Sequence, residues 1–169
     1  MHGTGEAPSW ISPESWRVFM EHGAYIRELE KEHCTQVPEG NGVYLVAVRT
    51  ERPVAFLPLH KVNLFDSPYQ GGNASGNPKK WDGGDHVTLY IGKAQRRGSL
   101  KKRIREYIRY GYGQGKTHRG GRAVWQAAGY ENLWIGWEVC SDAKECAYLD
   151  SYRKHSVEAS HYPAANWRR

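Results

Sequence analysis

The sequence predicts a small α/β (α+β) domain in which a mostly antiparallel, three-stranded sheet is flanked by helices. Three short stretches rich in β-branched and aromatic residues predict the strands. Stretches with apolar residues at helical spacing predict helices before, between and after them. The chain has 169 residues, which suits one domain with its own core. The order of elements, with strands and helices interleaved, favours one sheet covered by helices.

The first predicted element is an extra N-terminal helix. Ser12 is a favourable N-cap residue, and Pro13 suits the first helical position. The apolar stripe of this helix, which continues to about residue 33, consists of Trp16, Phe19, Ile26 and Leu29. We therefore expect residues 1–37 to form an N-terminal helical extension and residues 38–169 to form the main domain.

The three strands are predicted at Val43–Val48, Val87–Ile91 and Leu133–Val139. Between the first two, Pro53–Leu57 resembles a short strand weakened by prolines. A long glycine-rich insertion, Asp66–Asp85, follows it. Such a stretch inside a compact domain is either a functional flap or an irregular surface loop.

Two amphipathic helices are predicted in the second half of the chain. Ser99 caps a helix that runs to about Tyr110, and its inward stripe is Leu100, Ile104 and Ile108. A short helix is expected around residues 123–128. The last helix begins after Ser141 or Asp142 and runs to about residue 155.

Composition excludes several classes of protein. No run of residues approaches the roughly 18 apolar residues of a membrane span, and the mean hydropathy is −0.77. The segment Met1–Trp10 lacks the basic and apolar regions of a secretory signal. The three cysteines, Cys34, Cys140 and Cys146, are too few for a disulfide framework. We therefore expect a cytoplasmic protein with no membrane partner.

The charge distribution favours a polyanionic partner. The net charge is +6, and the stretch from Lys93 to Arg109 holds eight cations against one acid, Glu106. A second basic segment, Thr117–Arg122, lies in a predicted loop. Cations clustered in this way are typical of surfaces that bind nucleic acid. The residues expected to contact it are Lys93, Arg96, Arg97, Lys101, Lys102, Arg119 and Arg122.

Two tyrosines stand on predicted neighbouring strands, in the triplets Gly42-Val43-Tyr44 and Tyr90-Ile91-Gly92. Two phenols on adjacent strands can converge on one point. Gly92, without a side chain, would let a phosphate approach the backbone. Arg103 and Tyr107 are four residues apart and share one helix face. An arginine so placed suits a phosphate oxygen.

These residues, in this order, resemble the GIY-YIG nuclease family. The resemblance consists of both triplets, the helix arginine, a downstream acidic helix and a terminal Pro-x-x-Asn at Pro163–Asn166. The segment Tyr90–Ala94, followed by Leu100–Arg103, is especially similar to the N-terminal nuclease domain of bacterial excision-repair endonucleases. The resemblance covers roughly residues 38–167 and implies that this part is a nuclease domain.

The resemblance implies a role for each residue that matches the family pattern. Tyr44 would be the general base, directly or through a second water, and Tyr90 would hydrogen-bond at the same site. Arg103 would steady the scissile phosphate. Tyr107 would help to orient the water or the phosphate, and Asn166 would help to hold the site together. An ordinary phenol has a pKa near 10, so Tyr44 would need nearby cations to act as a base.

The resemblance also implies a divalent cation, Mg²⁺ or Mn²⁺, held by a carboxylate of the last helix. Two alignments of that helix compete. In one, Glu145 is the ligand, and Tyr148, Leu149 and Tyr152 occupy the expected apolar positions. In the other, Asp150 is the ligand, but Lys154 then falls where an apolar residue belongs. We favour Glu145 on that periodicity.

The resemblance therefore implies a metal-dependent endonuclease that acts on DNA, with RNA not excluded, as a monomer or homodimer. Stand-alone members of this kind are similar to enzymes of restriction, phage defence or mobile elements. The long insertion between Tyr44 and Tyr90 departs from the short hairpin usual in the family. The alternative is a catalytically silent nucleic-acid-binding module of the same fold.

Overall fold

The computed structural model describes residues 6–49, 87–94, 99–114, 124–125, 129–140 and 143–155. These ranges form an α/β (α+β) domain with one sheet. Its strands are Gly23–Tyr25 (β1), Gly42–Ala47 (β2), Thr88–Ala94 (β3) and Trp134–Val139 (β4). Its helices are Pro13–Glu21 (α1), Ile26–Lys31 (α2), Leu100–Gly111 (α3) and Ala143–Lys154 (α4), with a 3₁₀ turn at Tyr130–Asn132.

The strands lie in the order β1-β4-β2-β3, and every neighbouring pair is antiparallel. The predicted fold class is therefore confirmed, but the predicted count of three strands is wrong, since the described residues form a sheet of four. Strand β2 lies inside the sheet and is buried along its whole length. Its central position places Tyr44 opposite Gly92 of β3 and Trp137 of β4.

The fourth strand comes from the N-terminal segment, where a single helix up to about residue 33 was expected. Helix α1 instead ends at Glu21, and β1 pairs with β4 before α2 begins. Gly23 lies opposite Gly136, and a Cβ atom at Gly23 would stand 2.4 Å from the carbonyl oxygen of Ile135. Strand pairing at this distance requires glycine, so Gly23 interrupts the helical pattern.

Helices cover both faces of the sheet. Helices α1 and α4 lie on one face, where Phe19 contacts Tyr148 with ring centroids 5.7 Å apart. Helices α2 and α3 lie on the other face, where Ile104 and Tyr44 belong to the same buried cluster. The face under α3 therefore contains the tyrosine of the first triplet.

Most of the remaining predicted elements are confirmed, but the short helix expected around residues 123–128 is described only at residues 124 and 125, which do not test it. Strands β2, β3 and β4 and helices α3 and α4 lie within a few residues of the predicted ranges. Helix α3 begins after Ser99, whose Oγ accepts a hydrogen bond of 3.1 Å from the backbone N–H of Lys102. The predicted strand at 53–57 and the insertion at 66–85 lie outside the described residues.

None of the helices in the described ranges is both long enough and apolar enough to cross a membrane.

Candidate active site

Three tyrosines from three different elements meet on the α3 face of the sheet. Tyr44 extends from β2, Tyr90 from β3 and Tyr107 from α3. The ring centroid of Tyr44 lies 6.0 Å from that of Tyr90 and 6.2 Å from that of Tyr107. Tyr90 and Tyr107 are stacked, also 6.2 Å apart. We call these three residues the tyrosine cluster.

Both triplet glycines are explained by close packing. A Cβ atom at Gly42 would stand 2.0 Å from the carbonyl oxygen of Glu138. At Gly92, a Cβ atom would stand 2.7 Å from Cε2 of Tyr90 and 2.8 Å from Cζ of Tyr44. The expected opening for a phosphate directly over Gly92 is therefore wrong, because the rings of two tyrosines occupy that space.

Trp125 supports the tyrosine cluster from behind. It is fully buried, and its ring centroid lies 4.9 Å from that of Tyr107. Gly111, at the end of α3, permits this contact, because a Cβ atom there would stand 2.3 Å from the Trp125 ring. Trp125 belongs to none of the motifs found in the sequence. Its position behind Tyr107 follows from tertiary packing, which no local pattern records.

Arg103 lies one helical turn before Tyr107 on α3. Its side chain is 39% exposed, and its Nη1 lies 3.3 Å from Oε1 of Glu106. Its positive charge also lowers the pKa of Tyr44, although burial of that phenol outweighs this effect. The expected proximity of an arginine to the tyrosines is therefore present in the structure, and the guanidinium remains accessible to solvent.

The two candidate metal ligands on α4 have different surroundings. Glu145 lies in the first turn of α4 and is only 8% exposed, and its Oε1 atom is fully buried. Its charge contributes to raising the pKa of Tyr44. Asp150 is exposed to solvent. Of the two carboxylates, the buried Glu145 is thus the one that interacts with the tyrosine cluster.

The pKa of Tyr44 is raised well above 10.0, mainly by burial. Its hydrogen bond with Tyr90 and the negative charge of Glu145 act in the same direction. Arg103 acts in the opposite direction and does not prevail. In the protein alone, Tyr44 is therefore a neutral phenol at physiological pH.

The residues predicted to contact nucleic acid are only partly described. Lys93 and Lys102 are exposed. Lys101 is half-buried, and its Nζ lies 3.6 Å from Oε2 of Glu39. The other predicted site residues, Arg96, Arg97, Arg119, Arg122 and Asn166, lie outside the described residues.

The donor set near Tyr44 suits a hard divalent cation. No three His, Cys, Asp or Glu side chains come together as a metal site in the described ranges. Mg²⁺, however, is usually bound through only one or two carboxylates, together with water and substrate phosphates. Glu145, a buried carboxylate whose charge acts on the pKa of Tyr44, fits that pattern and also fits Mn²⁺.

No family model, curated protein or solved structure matches this chain. What the site can do is therefore inferred from its own residues.

Proposed function

We propose that the protein is a divalent-metal-dependent endonuclease of the GIY-YIG type that hydrolyses phosphodiester bonds of DNA. The observation that carries this proposal is the environment of Tyr44. Its phenol contacts two further tyrosines and interacts electrostatically with both Arg103 and Glu145. Packing alone requires neither a cation nor a buried carboxylate beside a core phenol. A phosphodiester hydrolase can use both groups, the cation to stabilise the charge of the phosphate and the carboxylate to hold a metal ion.

In the proposed reaction, Arg103 binds a non-bridging oxygen of the scissile phosphate. The guanidinium is accessible, and a bound phosphate can displace its exposed contact with Glu106, whose side chain is 46% exposed. Surface ion pairs of this kind contribute only about 0–1 kcal/mol. A guanidinium–phosphate pair is charge-assisted and bidentate, so it is the stronger interaction.

The hydroxyl groups of Tyr44 and Tyr90 are hydrogen-bonded to one another. We assign this pair to hold the attacking water. Tyr44, after releasing its own proton to solvent, would accept a proton from the water as the water oxygen bonds to phosphorus and the P–O bond to the leaving strand breaks. Arg103 favours that ionisation, whereas burial opposes it. Tyr107 stacks on Tyr90 and fixes the orientation of its ring. The tyrosine cluster thus orients the nucleophile with little loss of entropy during the reaction.

Glu145 is the residue assigned to hold the cation. Bound Mg²⁺ or Mn²⁺ would supply positive charge that polarises the phosphate and offsets the effect of the carboxylate on Tyr44. Helix α4 is fixed for this purpose by Tyr148, which donates a hydrogen bond of 2.7 Å to Glu138 of β4. The proposed ligand therefore stands on a helix that is tied to the central sheet.

A second candidate function is a nucleic-acid-binding module that does not cut. One observation favours it: Tyr44 is only 1% exposed, and its pKa is raised rather than lowered. A buried neutral phenol is a poor base. Against this candidate, a guanidinium and a buried carboxylate both act on the pKa of Tyr44, and a site that holds a phosphate and a metal ion uses groups of both kinds.

Cleavage of DNA separates the two functions. We expect the purified protein to nick plasmid DNA with Mg²⁺ or Mn²⁺ and to be inactive with EDTA. Arg103→Ala should reduce the rate by about 100-fold or more, since loss of one transition-state contact costs roughly 2.7–4 kcal/mol. If plasmid, linear and single-stranded DNA all stay intact with both metals, the proposed endonuclease activity is contradicted. The nucleic-acid-binding module then remains as the candidate function. Cleavage of RNA alone would overturn the assignment to DNA.

The matched pair Glu145→Gln and Asp150→Asn tests the metal ligand. Each change removes one carboxylate from α4 and preserves its shape. We expect Glu145→Gln to abolish metal-dependent nicking and Asp150→Asn to leave it within about threefold, because exposed surface substitutions have small effects. The reverse result would assign the metal to Asp150.

A further inference from the structure

A small pocket lies between the C-terminal end of α2 and the outer side of α3, away from the tyrosine cluster. Its volume is about 90 Å³, which is room for several water molecules and therefore for a phosphate group. Its charged and polar lining consists of Glu30, His33, Arg105, Arg109 and Gln114. Two guanidinium groups against one carboxylate give this pocket an excess of positive charge. We call it the α2–α3 pocket.

The two arginines of the α2–α3 pocket differ from other cations of α3. Arg103 is paired with Glu106, and Lys101 with Glu39. Within the part of the chain that the structure describes, no carboxylate lies within 4.0 Å of either Arg105 or Arg109. Glu30 lines the same pocket without pairing with them. Two guanidinium groups one helical turn apart, with no carboxylate partner among the described residues, suit a bidentate oxyanion.

The opposite wall of the pocket is held in an uncommon backbone conformation. His33 and Cys34 have φ angles of 60° and 59°, the left-handed region that residues other than glycine rarely adopt. Two such residues in succession turn the chain sharply after α2, and both line the pocket. Strained residues cluster at sites that bind ligands. The conformation of this wall is therefore consistent with a built site.

The α2–α3 pocket is separated from Arg103 by the exposed side of α3. Successive residues of an α-helix are rotated by about 100° around its axis. Lys102, Arg105 and Arg109, all exposed, therefore fall within an arc of about 60°. The centre of that arc lies about 130° around the helix from Arg103. One phosphate cannot contact both places, but a continuous strand can cross the helix between them.

We propose that the α2–α3 pocket binds a backbone phosphate of the nucleic acid at a second position, outside the catalytic site. Arg105 and Arg109 hold this phosphate, and Lys102 contacts the strand as it crosses the exposed side of α3. This inference rests on the proposed function for the identity of the ligand. Its consequence is that α3 binds the substrate on two sides, so that the pocket sets the position of the strand relative to Arg103.

The salt dependence of DNA binding tests this proposal without requiring cleavage. Binding of a labelled duplex is measured by fluorescence anisotropy in EDTA over a range of salt concentrations. Each phosphate contact contributes about 0.9 to the slope of log K against log salt. We expect the double variant Arg105→Gln/Arg109→Gln to have a slope shallower by about 1 to 2. We expect Arg105→Lys/Arg109→Lys to retain the slope, since both charges remain.

The control is Arg17→Gln/Lys154→Gln, which removes two exposed charges from α1 and α4. An equal change of slope in this control would mean that only net charge matters and would overturn the proposal. Thermal unfolding of each variant shows whether the fold is intact. If the double glutamine variant unfolds, the single variants Arg105→Gln and Arg109→Gln take its place, and each should have a slope shallower by up to about 0.9. An unchanged slope in the folded glutamine variant would also overturn the proposal.

Two further outcomes separate this proposal from the proposed function. If the wild type binds with the expected slope difference but never nicks, the endonuclease fails and the second phosphate site stands. If the wild type nicks DNA and the slopes of the variants do not differ, the second phosphate site fails and the endonuclease proposal stands. Inorganic phosphate, tested at constant ionic strength, provides the other source of the same chemistry. Stabilisation of the wild type alone by phosphate, without a change in DNA slope, would assign the pocket to free phosphate and overturn the backbone assignment.

Discussion

At the scale of single residues, the chemistry of Tyr44 depends on opposing effects. Burial, the hydrogen bond with Tyr90 and the charge of Glu145 raise its pKa above 10.0, whereas Arg103 lowers it. In the free protein, Tyr44 is therefore a neutral phenol at physiological pH. Catalysis through Tyr44 requires the ionised form, which becomes more populated as the pH rises.

The pH dependence of cleavage follows from the raised pKa of Tyr44. A base with a pKa above the working pH is ionised about tenfold more for each unit of pH. We therefore expect single-turnover cleavage rates to rise continuously from about pH 7 to about pH 9, without a plateau. The measurement uses one metal concentration and a constant ionic strength. A cleavage rate that stops rising near neutral pH would mean that a different group, and not the buried phenol of Tyr44, accepts the proton.

The residues of the candidate site could be predicted from the sequence, but their environment could not. The convergence of Tyr44 and Tyr90 follows from the pairing of two recognisable strands. The burial of Tyr44 depends on Tyr107 of α3 and on Trp125 behind it, which are distant in sequence. The packing of Tyr44 and Tyr90 over Gly92 depends on the register of β2 and β3, in which Tyr44 is opposite Gly92.

At the scale of elements, α1 lies unusually close to β4. A Cβ atom at Gly136 would stand 2.2 Å from the carbonyl oxygen of Phe19 in α1. The indole Nε1 of Trp134 donates a hydrogen bond of 2.9 Å to the same oxygen. A glycine and an indole N–H on β4 thus fix the position of α1 on the sheet.

Gly136→Ala tests this contact. The added methyl group would meet a backbone oxygen, which cannot rotate away, so α1 must shift. We expect the free energy of unfolding to fall by about 1–3 kcal/mol, the usual cost of overpacking a core. Chemical denaturation measures this change.

Gly40→Ala is the matched control. There the Cβ atom would stand 3.0 Å from Cγ1 of Val139, an exposed side chain that can move. We expect a change within about 0.5 kcal/mol, as for most surface substitutions. Equal losses at Gly40 and Gly136 would mean that close approach of α1 to β4 does not determine the effect.

The elements that the sequence predicts well are those with long, regular patterns. Strands β2 and β4 and helix α3 have continuous apolar runs or stripes, and Ser99 marks the start of α3. Strand β1 has only three residues, and it is a strand because it pairs with β4. A local pattern cannot contain that information, and so the sequence indicated a continuous helix there.

At the scale of the whole molecule, the antiparallel order β1-β4-β2-β3 brings separate segments to one site. Strand β2 lies beside β3, which places the two triplets side by side, and α3 covers them. Helix α4 packs on the other face of the sheet, yet Glu145 in its first turn influences Tyr44. Two alignments of α4 were compatible with the sequence. In the structure Glu145 is buried and Asp150 is exposed, and no local pattern contains that difference, because burial depends on the whole fold.

The central claim is that Tyr44 takes part in hydrolysis and is not merely a core aromatic residue. Tyr44→Phe removes one hydroxyl group from the tyrosine cluster. Tyr25→Phe removes one from β1 at the opposite edge of the sheet, where Tyr25 packs on Trp134. Both variants retain the ring, so their folds and DNA affinities should match those of the wild type.

The most direct measurement is single-turnover cleavage of a labelled DNA duplex with Mg²⁺ by these two variants and the wild type. We predict that Tyr44→Phe lowers the rate by about 100-fold or more, the contribution typical of a positioned acid or base. Tyr25→Phe should cleave within about threefold of the wild type. Equal cleavage by Tyr44→Phe and Tyr25→Phe would contradict the assignment of Tyr44 to the reaction.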